Sequence, residues 1–345
     1  MILTISLRDD IHALAVQNEA RRRGHQDFHI IECDELSGRQ SLSWNSHGGS
    51  PTVLRASDGQ RVRLEDASLV WWRRVRAAQK DAESRDSTSE RNLINNDCRG
   101  ALTGILCAAF QGEWVSHPEA TDRASDKLYQ LAVARRNGFR VPRTLVTQSR
   151  EEVMSFLGEV GRVIVKPVVG TSGPLLFTQY LDQPDSIPAP SYEACPAMYQ
   201  EYIEGDEHIR LNCFGERMYA ALLKTETLDW RADLTIPISS WSVPDELAER
   251  VTTVLRALGL RMGAIDIKLT PDGEPVWLEV NPQGQFLFLE PLLRLPLAQY
   301  FVDFLLSTAG RRSLCREPGE ALPVEEQWLA RFPGAERVHP PGSPR

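Results

Sequence analysis

Apolar positions fall in short blocks from the first residues, and their spacing changes from two to about 3.6 and back. MILTISL reads as a buried strand. DIHALAVQNEARRR (10–23) carries the helical period and stops at Gly24, and FHIIEC (28–33) returns to a strand. A β-α-β opening of this kind predicts a partly parallel sheet. SLVWWRR (68–74) is the next strand and closes on Arg73 and Arg74. Residues 76–97 are polar throughout and read as a loop running into a solvated helix. CRGALTGILCAAF (98–110) then reads as an apolar helix.

The texture changes at Asp122. DRASDKLYQLAVARRNG predicts one amphipathic helix, VPRTLVT a strand, SREEVMSFLGEV a capped helix, and RVIVKPVVG a strand entering a glycine loop. AMYQEYI is a further strand, and a helix runs from the VPD at 243–245 to about Gly259. GAIDIKLT and PVWLEVNP flank a PDG turn. The expected fold class is α/β (α+β). Its units are a first α/β unit at 1–118, a central unit at 119–196, a further unit at 197–310, and a Pro-rich, partly disordered tail at 311–345.

Composition narrows the class. A chain of 345 residues suits two or three sub-domains. Its net charge of -8, from 39 basic and 47 acidic residues, argues against a nucleic-acid partner. The start lacks the basic region of a signal peptide, and no apolar run approaches the roughly 20 residues that span a bilayer. The six cysteines form no C-x-x-C pair, and the seven histidines form no H-x-H or H-E-x-x-H cluster. These features predict a cytoplasmic protein with reduced thiols and no zinc site.

The most informative stretch is GAIDIKLTPDGEPVWLEVNPQGQ (263–285). Symmetric pairing about PDGE sets Leu269 against Val276, Ile267 against Leu278 and Ile265 against Val280, giving one apolar face. The other face carries Asp266 opposite Glu279, Ala264 opposite Asn281, and Lys268 opposite Trp277. Like charges directly across a hairpin repel. Asp266, Glu279 and Asn281 are hard oxygen donors of the kind that hold Mg²⁺ together with phosphate oxygens. The bland alternative is a shifted register, or a carboxylate facing water.

RVIVKPVVGTSGP (162–174) places Lys166 before Gly170, Thr171, Ser172 and Gly173, small residues whose backbone N–H groups can approach phosphate oxygens. It is neither a Walker loop nor a Rossmann fingerprint. Lys127 opens a helix, YQEYIEGDEHIR (199–210) carries an acidic run after a strand, and DWR (229–231) is polar. Taken singly, each of these reads as an ordinary turn, cap or solvated loop. Taken in order, two lysines, a glycine loop, a strand edge and a carboxylate pair make a set able to hold Mg-ATP.

In that order SDKLYQLAVARRNGFRVPRT, VIVKPVVGTSG, YQEYI, AIDIK and WLEVNPQGQ resemble the ATP-grasp superfamily over about 122–291. The chain resembles RimK-type ligases. VWWRR, DWR and EVNPQGQFLFLE make it more similar to the graspetide (microviridin-type) peptide macrocyclases. The resemblance implies an N-terminal pre-ATP-grasp domain and an ATP- and Mg²⁺-dependent ligase. Such a ligase activates Asp or Glu side chains of a precursor peptide as acyl phosphates and closes esters or amides with Ser, Thr or Lys. It also implies a leader segment on the peptide and a homodimer.

Carried over, Lys127, Lys166 and Gly170–Gly173 meet the phosphates. Glu201, Tyr202 and Ile203 meet adenine, and Glu207 or Asp206 meets ribose. Asp266, Glu279 and Asn281 bind Mg²⁺, and Arg210 and Arg231 neutralise the transferring phosphoryl group. Arg73 and Arg74 are expected to bind the substrate's acidic side chains, and Gln283 and Gln285 to orient the acyl phosphate. Asp229 and Glu290 are candidate bases. The chain has His208-Ile209-Arg210 where relatives have Asp-aliphatic-Arg, which leaves the ribose and Arg210 assignments open by a residue. Two alternatives remain: a RimK-type ligase adding a free amino acid, and a non-catalytic nucleotide or leader-peptide binding module.

Overall fold

The computed structural model describes residues 1–314 apart from 48–49, 77, 170–176, 182–183, 185–186 and 231–234. The opening pattern gives β1 (Ile2–Ser6), α1 (Ile11–Arg22), β2 (Phe28–Glu32), β3 (Leu42–Ser43), β4 (Val53–Arg55), β5 (Arg61–Arg63), β6 (Leu69–Trp72), α2 (Thr88–Ala109) and β7 (Glu113–Val115). β2, β1, β6 and β7 form a wholly parallel sheet in that order, and β3–β5 form a small antiparallel one. The helix expected at 98–110 is the second half of α2. That helix starts at the Ser87 cap, and within it only Leu102 and Leu106 are buried.

α3 (Pro118–Ala124), α4 (Lys127–Arg136), β8 (Thr144–Thr147), α5 (Arg150–Val160), β9 (Val163–Pro167), β10 (Gln179–Tyr180), α6 (Ala189–Glu193) and β11 (Ala197–Glu201) come next. The stretch after Asp122 holds the end of one helix and a second that opens at Lys127, where the Asp126 carboxylate accepts from Tyr129 N at 2.9 Å and caps it. The second sheet runs β10-β9-β11-β8, antiparallel throughout. β11 lies between β8 and β9, so Ala197–Glu201 is part of the second sheet.

β12 (Glu207–Phe214), β13 (Arg217–Lys224), β14 (Ile238–Trp241), α7 (Asp245–Ala257), β15 (Met262–Leu269), β16 (Pro275–Asn281), α8 (Leu289–Leu293) and α9 (Leu297–Leu314) complete the described chain. The third sheet is β14-β13-β12-β15-β16. One face carries Ile209, Leu211, Ile265, Ile267, Trp277 and Val280, packed with Leu131 of α4 and Val251 and Val254 of α7.

The β15–β16 pairing corrects part of the expected register. Ile265–Val280, Asp266–Glu279 and Ala264–Asn281 pair as anticipated. An irregularity comes after Asp266, and beyond it Ile267 faces Trp277, Lys268 faces Val276 and Leu269 faces Pro275. An extra residue in one strand turns the remainder of that strand to the other face. Trp277 therefore fills the core against Phe139, with ring centroids 5.2 Å apart, and Leu278 is left half-buried.

A second core lies between the first and third sheets. Ile2, Val16, Phe28, Leu69, Trp71 and Val115 meet Phe214, Phe286, Leu289, Phe301 and Phe304 there. Trp71 and Phe301 are 4.6 Å apart between centroids. The second sheet keeps its own core of Val153, Phe156, Val163, Leu181, Tyr192 and Tyr199.

Candidate functional site

On the face of the third sheet opposite the α4–α7 core, strand pairing lines up a lateral row. Arg210 of β12 pairs with Asp266 of β15, which pairs with Glu279 of β16. Side chains of directly paired residues share a face, so one cation and two carboxylates stand side by side. Arg210 Nη1 donates to Asp266 Oδ2 at 2.9 Å, with both side chains largely buried. Lys127, on the first turn of α4, brings Nζ to 4.0 Å from Glu279 Oε2 and 3.5 Å from the Pro167 carbonyl at the end of β9. Lys166 stands one residue before that carbonyl.

The protein thus supplies its own counter-charges to the carboxylate pair. Repulsion across the hairpin does not by itself require a bound ion. Gln130 of α4 holds the end of β16 in place: its Nε2 donates to Val280 O and its Oε1 accepts from Val280 N, both at 2.8 Å. Gln130 is not among the residues expected from sequence. Its signal was a lone amide on the apolar face of a helix.

The 282–288 segment turns back over this face. Gly284 lies so close to Ala264 that an added Cβ would overlap the Ala264 Cβ and reach its Cα and N at 3.1 Å. Asn281 is exposed, and its Oδ1 accepts from Gln283 N at 3.1 Å. Asn281, Gln283 and Gln285 line a polar cleft of about 230 Å³ with Arg73, Arg74, Val75 and Arg76. Arg74 and Gln283 are partly exposed there. Arg73 is not exposed at all: its side chain is wholly buried, and Nη1 donates to the carbonyls of Gln283 and Gly284.

A second group surrounds the end of β11. Glu201 and Tyr202 N–H donate to Arg143 O and Arg162 O at 3.0 and 2.9 Å, so these donors are spent within the protein. The Glu201 carboxylate is held by Arg140 Nη2 and Arg143 N, each at 3.0 Å. Ile203, which is buried, is the remaining residue of the expected adenine edge. The Tyr202 ring carries Arg162 at 4.4 Å and Lys268 Nζ at 4.7 Å. Burial, with Tyr180 beside it, pushes the Tyr202 phenol up to about 12. Glu207 Oε1 accepts from Lys224 Nζ at 2.8 Å, and Asp206 is exposed. Glu290 accepts from Ala298 N at 2.7 Å and thereby caps α9, a structural task. Gly170–Gly173 and Arg231 lie outside the described residues.

A model of the RimK-like ATP-grasp domain matches residues 124–305, more than half of the chain. The chain belongs to that family. This ATP-grasp ligase is 22% identical over 203 residues to the tetrahydromethanopterin:alpha-L-glutamate ligase of Methanocaldococcus jannaschii, covering 56% of this chain and 69% of that one. Two solved structures share its fold. The macrocyclase MdnC bound with precursor peptide MdnA, from Microcystis aeruginosa MRC, aligns with a TM-score of 0.78 at 24% identity, over 88% of this chain and 99% of that one. The RiPP-associated ATP-grasp ligase of Chryseobacterium gregarium, in complex with ADP and a leader and core peptide, has a TM-score of 0.78 at 24% identity, over 89% and 96%.

ATP-grasp ligases use ATP, so the donor set can be tested against a magnesium ion. Among the described residues, no three His, Cys, Asp or Glu side chains gather. Mg²⁺ is ordinarily held by one or two carboxylates with phosphates and water, and not by an all-protein cage. Two facing carboxylates with Asn281 at the end of the same strand fit that demand. Among the described residues no helix of this ligase is long and apolar enough to cross a membrane.

His208 and His12 flank the site. Burial, then nearby Lys268, pushes His208 down to about 4, against the opposing pull of Asp229 and Asp206. Burial, then Arg73, pushes His12 down to about 4, with Asp10 opposing and Arg74 adding. Below the ordinary 6.5 the unfolded chain binds protons that the folded chain refuses, so stability falls as pH drops from about 6.5 to 4. Thermal unfolding midpoints should decline across this window, and His208→Gln should flatten the slope. A slope unaltered by the substitution would mean that His208 is not held neutral.

Proposed function

We propose that this ligase acts on a ribosomally made precursor peptide, activating Asp or Glu side chains and closing them onto Ser, Thr or Lys of the same chain. The observation that carries the reading is the cleft of Arg74, Arg76, Gln283 and Gln285, which opens beside Asn281. Arginines suit the carboxylates of an acidic peptide, because the guanidinium fork matches a carboxylate in two-point contact. Further support comes from the extent of the likeness. The two peptide-bound structures align over 88% and 89% of the chain, whereas the glutamate ligase aligns over 56%.

In this reading Lys127, Lys166 and the 170–173 segment hold the triphosphate, and Ile203 meets adenine. Asp206 is the freer ribose candidate, since Glu207 is engaged by Lys224. Asp266, Glu279 and Asn281 would hold the Mg²⁺, which when bound offsets phosphate charge. Arg210, with Arg231, faces the charge that spreads over the moving phosphoryl group. The substrate carboxylate oxygen attacks the γ-phosphorus and ADP leaves. The peptide hydroxyl or amine then attacks the acyl carbon, phosphate leaves, and the nucleophile's proton passes to solvent. No side chain is assigned as base.

The names of the curated relatives favour a second reading, addition of a free amino acid to a carboxylate. Mass spectrometry separates the two. A peptide with paired Thr/Ser/Lys and Asp/Glu, given ATP and Mg²⁺, should lose one water per bond without added amino acid. Incorporation of a labelled free amino acid would overturn the cyclisation reading. ATP binding with no ADP from any peptide would mark a non-catalytic module.

A further inference from the structure

In open parallel sheets the crevice beyond the carboxyl ends of adjacent strands is the usual place for a ligand. Here β1 and β6 are parallel neighbours, with Ile5 beside Trp72, so Ser6, Asp10, His12 and Arg73 meet at such a crevice. It is filled by the chain's own segment after β16.

Five consecutive residues of that segment are gripped through their backbone. Arg73 Nη1 donates to Gln283 O and, at 3.2 Å, to Gly284 O. Arg210 Nη2 donates to Gln285 O at 3.3 Å. His12 Nε2 accepts from Phe286 N at 2.9 Å and Leu287 N at 3.2 Å, with its ring edge-on to Phe286 at 4.9 Å. An accepting Nε2 places the proton of the neutral ring on Nδ1.

Behind these grips stands Asp10. Its Oδ1 caps α1 through His12 N (2.8 Å) and Ala13 N (3.2 Å). Its Oδ2 accepts from Ser6 Oγ at 3.0 Å and faces Arg73 Nε at 3.6 Å. Burial alone would raise the Asp10 carboxyl, but Arg73, Ala13 N–H and Ser6 hold it below the usual range. Among the described residues, Arg73 Nε and Nη2 have no hydrogen-bond partner. A buried guanidinium left partly unsatisfied is poor stabilisation compared with an apolar side chain of similar size. What it does provide is direction: one fixed Nη1 aimed at two successive carbonyls.

We propose that Asp10, His12 and Arg73 form a latch by which the first sheet sets the 283–287 segment, and so aims Gln283 and Gln285 into the cleft beside Asn281. These are positioning residues that act through the segment. The role deepens the cyclase reading and rests on it for the identity of the substrate. It also replaces the expectation that Arg73 touches the substrate directly.

The test compares His12→Phe, which keeps the ring and removes the acceptor, with His12→Gln, which restores one. Hydrogen exchange over 283–288 and ATP affinity are read without peptide, and ADP formation with it. The Phe variant should speed exchange at Phe286 and Leu287 about tenfold or more and lower kcat by a similar factor. KM for ATP should stay within about twofold, and Gln should recover part of both losses. Faster exchange with unchanged kcat, or unchanged exchange, would overturn the latch. So would a parallel loss of kcat, ATP affinity and melting temperature. If His12→Phe does not fold, Arg73→Lys, which keeps the charge and shortens the reach of the donor, is judged by the same readouts. A wild-type chain that closes no ring would remove the cyclase reading, while the exchange result would still judge the latch.

Discussion

Glu279→Gln should reduce ADP formation by about 10²–10³ or more while leaving the protein folded. The substitution keeps size and shape and removes one of two facing negative charges. Glu279 is partly exposed, and Lys127 Nζ is 4.0 Å away, so little stability rests on that contact. The expected change in melting temperature is therefore small. The loss of turnover corresponds to about 3–4 kcal/mol of transition-state stabilisation. A coupled ADP assay across a magnesium titration checks the assignment, and the half-saturating magnesium concentration should rise. Turnover within a factor of about two of wild type would remove Glu279 from the site.

Arg210→Ala should cost both stability and activity, with a recognisable response to magnesium. Arg210 and Asp266 are 8% and 14% exposed in their side chains and 2.9 Å apart. Removing one partner of such a pair leaves a poorly solvated charge, typically about 3–5 kcal/mol. The ligand-free variant should melt well below wild type. Magnesium should then raise its melting temperature more than it raises that of wild type, because one cation beside Asp266 is gone. The double variant Arg210→Ala/Asp266→Asn should recover stability but not turnover. Equal magnesium responses in wild type and Arg210→Ala would show that this carboxylate pair does not take the ion.

Much of this arrangement was legible because it depends on local alternation. The pairing of Asp266 with Glu279 comes from which residues of 263–281 are apolar. The bulge after Asp266 was not legible, since Trp277 and Leu278 are both apolar and either can fill a core. Nor was the burial of Arg73. VWWRR looks like a strand reaching solvent, and the partners that cover Arg73 lie 210 and 211 residues further along the chain. The helix start at Lys127 was legible, because an Asp just before a helical pattern is a capping signal. His12 gave no signal of its own: its acceptor role exists only once the segment after β16 has crossed to the first sheet.

The aromatic cluster that joins Trp71 to Phe286 and Phe301 has a consequence for how the molecule comes apart. The amino-terminal third has a core of its own, from Leu3, Ile5 and Ile31 to Leu102 and Leu106, and this shared cluster ties it to the carboxyl-terminal third. Heat or denaturant should dissolve them in one cooperative step. The middle piece, with an interior of its own, is the part able to tilt or melt separately.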